Sequence, residues 1–136
     1  MCGCFLFVKT ITPVFESLHL NENDHLTEIE ALPSRVNLIR LGHCDILKKI
    51  RVPYDLVNLE SLIIMWCPEL EELPSLAHST SLRGFVVSNG CCRIQKIEGL
   101  ENCARLERLE TSLEVPGLQS LEHMKKLRSV NLKASK

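Results

Sequence analysis

A chain of 136 residues, with 16 basic and 17 acidic side chains and a formal charge of −1, is the length of one domain and too evenly charged for a strongly cationic nucleic-acid binder. Its 45% apolar content can furnish a core, but the longest apolar run, Leu62 to Cys67, is six residues, against about 20 for a membrane-spanning helix. The apolar stretch Cys4 to Val8 is too short for a signal-peptide core and has no preceding positive cluster.

Leucine occurs 23 times, whereas aromatics make up only 4%. That bias points to internal repeats, and a template with apolar residues at positions 1, 4, 6, 12 and 15 and a small or polar residue at 9 recurs along the chain. The first unit is Phe15-x-x-Leu18-x-Leu20-x-x-Asn23-x-x-Leu26-x-x-Ile29. The second is Val36-x-x-Ile39-x-Leu41-x-x-Cys44-x-x-Leu47-x-x-Ile50. The third is Leu59-x-x-Leu62-x-Ile64-x-x-Cys67-x-x-Leu70-x-x-Leu73, followed by Pro74. The fourth is Leu82-x-x-Phe85-x-Val87-x-x-Gly90, with Ile94 and Ile97 one residue late. The fifth is Leu106-x-x-Leu109-x-Thr111, with Leu118 and Leu121 one late, and the sixth opens Leu127-x-x-Val130-x-Leu132. Of the 18 sites at positions 1, 4 and 6, all but Thr111 are apolar, against about eight expected from the composition.

Positions 4 and 6 alternate, so their side chains leave one face of a short strand and position 5 leaves the other. A strand recurring every 21–24 residues stacks in parallel on its neighbours, about 4.8 Å apart, and each unit buries its leucines only against the next. Position 9 turns the chain off the strand. Residues 105–114 (RLERLETSLE) fit a helical period in isolation, but their register with five other units predicts strand and turn. Pro33, Pro53, Pro74 and Pro116 interrupt the return path, which predicts irregular or 3-10 backbone there rather than long helices.

The stretches Trp66 to Cys91 (WCPELEELPSLAHSTSLRGFVVSNGC) and Ile94 to Leu109 resemble the repeat region of plant nucleotide-binding leucine-rich-repeat disease resistance proteins, the TIR class more closely. Leu59 to Leu76 matches that family's L-x-x-L-x-I-x-x-C-x-x-L-x-x-L-P-x-L signature, and the resemblance covers about residues 15–136. It implies an α/β leucine-rich-repeat solenoid of about six repeats. This would be a right-handed horseshoe, with a parallel β-sheet on the concave face and irregular or 3-10 loops on the convex face. Residues 1–14 are then an N-terminal cover or remnant, and residues 15–136 the repeat domain. Units four and five depart by one extra residue each, and Thr111 and Glu114 replace expected apolar or Cys/Asn positions. A Walker A motif is missing, since Gly84 and Gly90 are wrongly spaced and no Lys-Ser/Thr follows them. The resemblance thus implies the repeat region alone, without the nucleotide switch or signalling domain.

Seven cysteines and no secretory signal argue against a disulfide framework. Cys44 and Cys67 fall on position 9 and are expected as buried structural thiols. Cys2-x-Cys4 offers no C-x-x-C pair for zinc, and Cys2 occupies the place a myristoylated glycine would need. None of the seven asparagines heads an N-x-S/T sequon. Extracellular plant repeats, by resemblance, carry a Gly-x-Ile-Pro step where this chain has Glu72-Leu73-Pro74. These features predict a reducing, cytoplasmic setting.

No catalytic arrangement is legible. The histidines at 19, 25, 43, 78 and 123 are scattered, with His19 and His43 expected on the exposed strand face in different columns, and Glu69, Glu71 and Glu72 read as a solvated acidic loop rather than an acid/base pair. The expectation is a non-enzymatic protein with no cofactor and no metal.

Recognition remains. The face opposite the core carries position 5 (His19, Arg40, Ile63, Val86, Glu110, Asn131) and position 3 (Ser17, Leu38, Ser61, Gly84, Arg108, Ser129). Its expected centre is apolar (Leu38, Ile63, Met65, Trp66 and Val86), with Arg40, Arg108 and Glu110 flanking it, the layout of a protein-binding surface. The alternative is that Ile63 and Val86 are ordinary strand residues and that Met65 and Trp66 turn into the loop layer under Pro68. By resemblance the partner is a protein: a pathogen effector, a host protein or the receptor's own other domains, with no nucleic acid and no membrane. A ubiquitin-ligase substrate receptor is a second reading, but only 14 residues precede the first unit to hold an adaptor-binding module. A truncated, non-functional receptor fragment is a third.

Overall fold

The computed structural model describes residues 4–6, 15–52, 54–95, 97–112 and 124–132. Among the described residues nine strands follow one another: β1 (Cys4–Leu6), β2 (Ser17–Asn21), β3 (Leu26–Ile29), β4 (Leu38–Gly42), β5 (Lys49–Ile50), β6 (Ser61–Met65), β7 (Gly84–Ser88), β8 (Arg108–Thr111) and β9 (Ser129–Leu132). Six of them form one sheet in the order β2-β4-β6-β7-β8-β9, every pair parallel. The protein is a parallel-strand β-solenoid.

The register follows the repeat template column by column. Leu18, Ile39, Leu62, Phe85, Leu109 and Val130 stand side by side as position 4, and Leu20, Leu41, Ile64, Val87, Thr111 and Leu132 as position 6. From Ile39 to Leu109 these two columns are fully buried, and Thr111 is buried with its apolar equivalents. Residues 108–111 are strand, as the shared register predicts, and not helix. The buried apolar residues, Val86 apart, form one continuous cluster.

A backbone ladder extends the sheet to position 2. Asn37, Glu60, Arg83, Glu107 and Arg128 each donate an N–H to the position-2 carbonyl of the preceding rung, at 2.7–2.8 Å. The second to sixth rungs each enter their strand through a tight turn, closed by hydrogen bonds such as Leu59 N–H to Leu56 carbonyl and Leu106 N–H to Cys103 carbonyl. Ser79 fills the buried turn position that Leu56 fills one rung earlier, and its hydroxyl donates to the Leu56 carbonyl at 3.0 Å.

The helical half of the α/β expectation is not met among the described residues. Their only helical element is the 3-10 turn Leu100–Asn102. Units this short spend their return path in turns, and Pro33 and Pro74 lie on it without a donor to give. Pro53 and Pro116 lie outside the described residues. The return path is also more regular than expected. Residues from positions 12–15 of the first two units (β3 and β5) form a second parallel sheet with β1, which precedes the first unit, in the order β1-β3-β5, continued by a bridge between Lys49 and Glu72. Its Leu-x-x-Ile spacing hides it from a search for period-two strands. No helix among the described residues is long and apolar enough to cross a membrane.

Candidate functional site

The chain leaves β2, β4, β6 and β7 through a left-handed residue. Glu22, His43, Trp66 and Asn89 occupy position 8 of successive units and have φ of 57°, 53°, 57° and 51°. Left-handed backbone costs a non-glycine residue about 1 kcal/mol or more, so something must hold it. Here Glu22, His43 and Trp66 donate their N–H groups to Gly42, Met65 and Asn89 of the following rung, at 2.9, 3.2 and 2.7 Å. Each turn is strapped to its neighbour, and its side chain is aimed away from the core.

At positions 9 and 10 the turn is filled differently along the stack. Asn23 accepts the N–H groups of His25 and Leu26 on its side-chain oxygen. Cys44 and Cys67 take the same place as buried thiols that donate to the Gly42 and Met65 carbonyls. In the fourth unit Gly90 is the extra residue, at φ 82°, and Cys91 takes over the buried place and donates to the Ile64 carbonyl. That insertion explains why Ile94 and Ile97 arrive one residue late and are still buried. Cys67, hydrogen-bonded to Cys44 and Cys91 and buried, is held above the ordinary thiol range, and the same contacts pull Cys44 and Cys91 down. Burial pushes the Cys103 thiol up to about 11. Cys44, Cys67, Cys91, Cys92 and Cys103 are free, and of these five only Cys92 is exposed.

A groove of about 490 Å³ opens where these turns meet the outer face of β2, β4 and β6, walled by His19, Arg40, His43, Met65 and Trp66. Gly42 makes the gap. It stands between Asn21 and Met65 in the sheet, and a Cβ there would lie 3.0 Å from the Asn21 side-chain oxygen. Trp66 stacks on His43 with centroids 6.0 Å apart and planes within 10°. The benzene half of its indole rests against Gly90, where a Cβ would come within 2.5 Å of Cε3. So Trp66 is held from two sides and remains 49% exposed. It does not fold into the loop layer.

The eight residues expected to form one surface fall into two groups. Arg40, Met65 and Trp66 line the groove, with Leu38 and Ile63 half-buried on the same sheet face. Val86 corrects the expectation of an exposed apolar centre: it is only 4% exposed, flanked in the sheet by Ile63 and Glu110. Arg108 and Glu110 lie two strands beyond Ile63 and pair with each other at 3.2 Å, and Asn131 donates to the second Glu110 oxygen. Arg40 pairs with no carboxylate among the described residues, so it is the available cation at the groove. Sequence reasoning placed His19 and His43 on this face without joining them to Trp66. Their signal was adjacency in the repeat: positions 5 and 8 of consecutive units.

The acidic run is tied down by neighbouring rungs. Glu72 holds Arg51 at 2.9 Å, and Arg93 reaches Glu69 and Glu71 at 3.5 and 3.9 Å. Among the described residues, no group of three His, Cys, Asp or Glu side chains is arranged to hold a metal ion. No known protein family, curated protein or solved structure matches the chain.

Proposed function

We propose that the chain is a leucine-rich-repeat module that binds protein and carries out no chemistry, in the manner of the sensing or autoinhibitory repeats of plant intracellular immune receptors. The observation that carries this reading is the groove at the ends of β2, β4 and β6. It combines a large exposed indole with two imidazoles and a guanidinium that pairs with no carboxylate among the described residues. Trp and Arg are the side chains most often found at energetic hot spots, and an aromatic already fixed by its neighbours loses little entropy on binding. The chemistry suits a partner segment that presents an apolar or aromatic side chain next to a carboxylate. The family assignment rests on the motif of residues 59–76 and on the solenoid into which it folds. In that reading the setting is cytoplasmic and the partner is an effector, a host protein or another domain of the same receptor.

The test is selection of displayed peptides against the folded chain. Trp66 is the only tryptophan, so its emission reports occupancy directly. Selected ligands should shift that emission to the blue. Trp66→Ala should weaken them by about 2 kcal/mol with folding little changed, and Arg40→Glu should discriminate against acidic ligands. Ligands indifferent to both substitutions would place recognition elsewhere. Lost stability with unaltered affinity would make Trp66 a structural residue.

A further inference from the structure

The two ends of the large sheet differ in a way that makes one fit the other. β9 is the last strand on one side, and it exposes two core-column residues, Val130 at 44% and Leu132 at 55%. β2 is the last strand on the other side, and it brings Leu18 and Leu20 to the same two columns. Among the described residues nothing pairs with the outer edge of either strand.

The position-2 ladder is polar in both senses of the word. Its backbone bonds run from N–H on one rung to carbonyl on the rung before, so the ladder ends on the Arg128 carbonyl at one side and on the Glu16 N–H at the other. Its side chains alternate in charge through Glu60, Arg83, Glu107 and Arg128. Arg83 and Glu107 are in contact at 2.7 Å, and Glu107 also feels Arg128. The next member of that alternation would be an acid beside Arg128, and Glu16, exposed at the opposite end of the sheet, is one. In the second sheet β1 lies one rung beyond β3, on the side of the free β2 edge, and forms a ledge there.

We propose that a second copy of this chain docks head to tail, with the β2 edge of one molecule adding in parallel to the β9 edge of the other. The added strand covers Val130 and Leu132 with Leu18 and Leu20, supplies the Glu16 N–H to the Arg128 carbonyl and sets the Glu16 carboxylate beside the Arg128 guanidinium. An unpaired strand edge is a template for such addition. The contact joins two different surfaces, so it does not close on itself, and each added copy presents a new β9. This goes beyond the recognition groove. The groove residues Arg40, Met65 and Trp66 lie on the sheet face and are not part of the joint.

Sedimentation velocity over a range of protein concentration tests it. The wild-type chain should grow past the dimer as concentration rises. Glu16→Arg and Arg128→Glu should each weaken that growth by about tenfold or more, because each sets like charges face to face. Both side chains are exposed, so circular dichroism should show both variants folded. An equimolar mixture of the two variants, or the double variant, should regain the wild-type behaviour. A monomer at every concentration would overturn the proposal, and so would a species that stops at the dimer. Weakening by Arg128→Glu but not by Glu16→Arg would also overturn it, in favour of two β9 edges meeting each other.

Discussion

The rungs carried by β6 and β9 have the same pattern and different fates. Leu62 and Ile64 in β6 are inaccessible to solvent, whereas Val130 and Leu132, at the same two positions in β9, are about half exposed. The side chains are equally apolar. What differs is that β6 has β4 on one side and β7 on the other, while among the described residues β9 has only β8. Burial in this fold belongs to the pair of neighbours and not to the rung, as expected of a molecule built along one dimension.

Substitutions along one column can break or sharpen that contrast. Leu62→Ala should be the most damaging, at about 3 kcal/mol in urea denaturation, because both neighbouring rungs hold the cavity open. A cost below about 1 kcal/mol would mean that the stack collapses to fill the space. Gly90→Ala should cost about 1–2 kcal/mol. It combines a left-handed φ with a Cβ aimed at the Trp66 ring, so a shift in tryptophan emission should accompany the loss. Unchanged emission would mean that the indole does not rest on Gly90. Val130→Ala, the β9 counterpart of Leu62→Ala, should cost no more than about 0.5 kcal/mol in the monomer. A cost equal to that at Leu62 would show that the last rung is covered after all.

Much of the stack was legible because the repeat carries it. The columns of positions 3 to 6 were read directly from spacing, and the buried thiols Cys44 and Cys67 from their place after the strand. The second sheet was not legible, because three or four residues with an apolar–x–x–apolar spacing look like a loop. Val86 was misread because its outward direction was known and its neighbours' coverage was not. The groove was only half legible. Trp66 and Arg40 could be placed on the outer face, but the His43 stack and the Gly42 gap depend on side chains from three rungs meeting at the strand ends. Such a meeting is fixed by register and not by any one motif.

Residue-resolved hydrogen exchange, at a concentration where the chain is monomeric, tests the central claim most directly. If neighbours confer stability, the amides of β4, β6 and β7 should exchange slowest and those of β9 fastest, with β8 between them. Uniform protection across the six strands, or a β9 as slow as β6, would contradict that account.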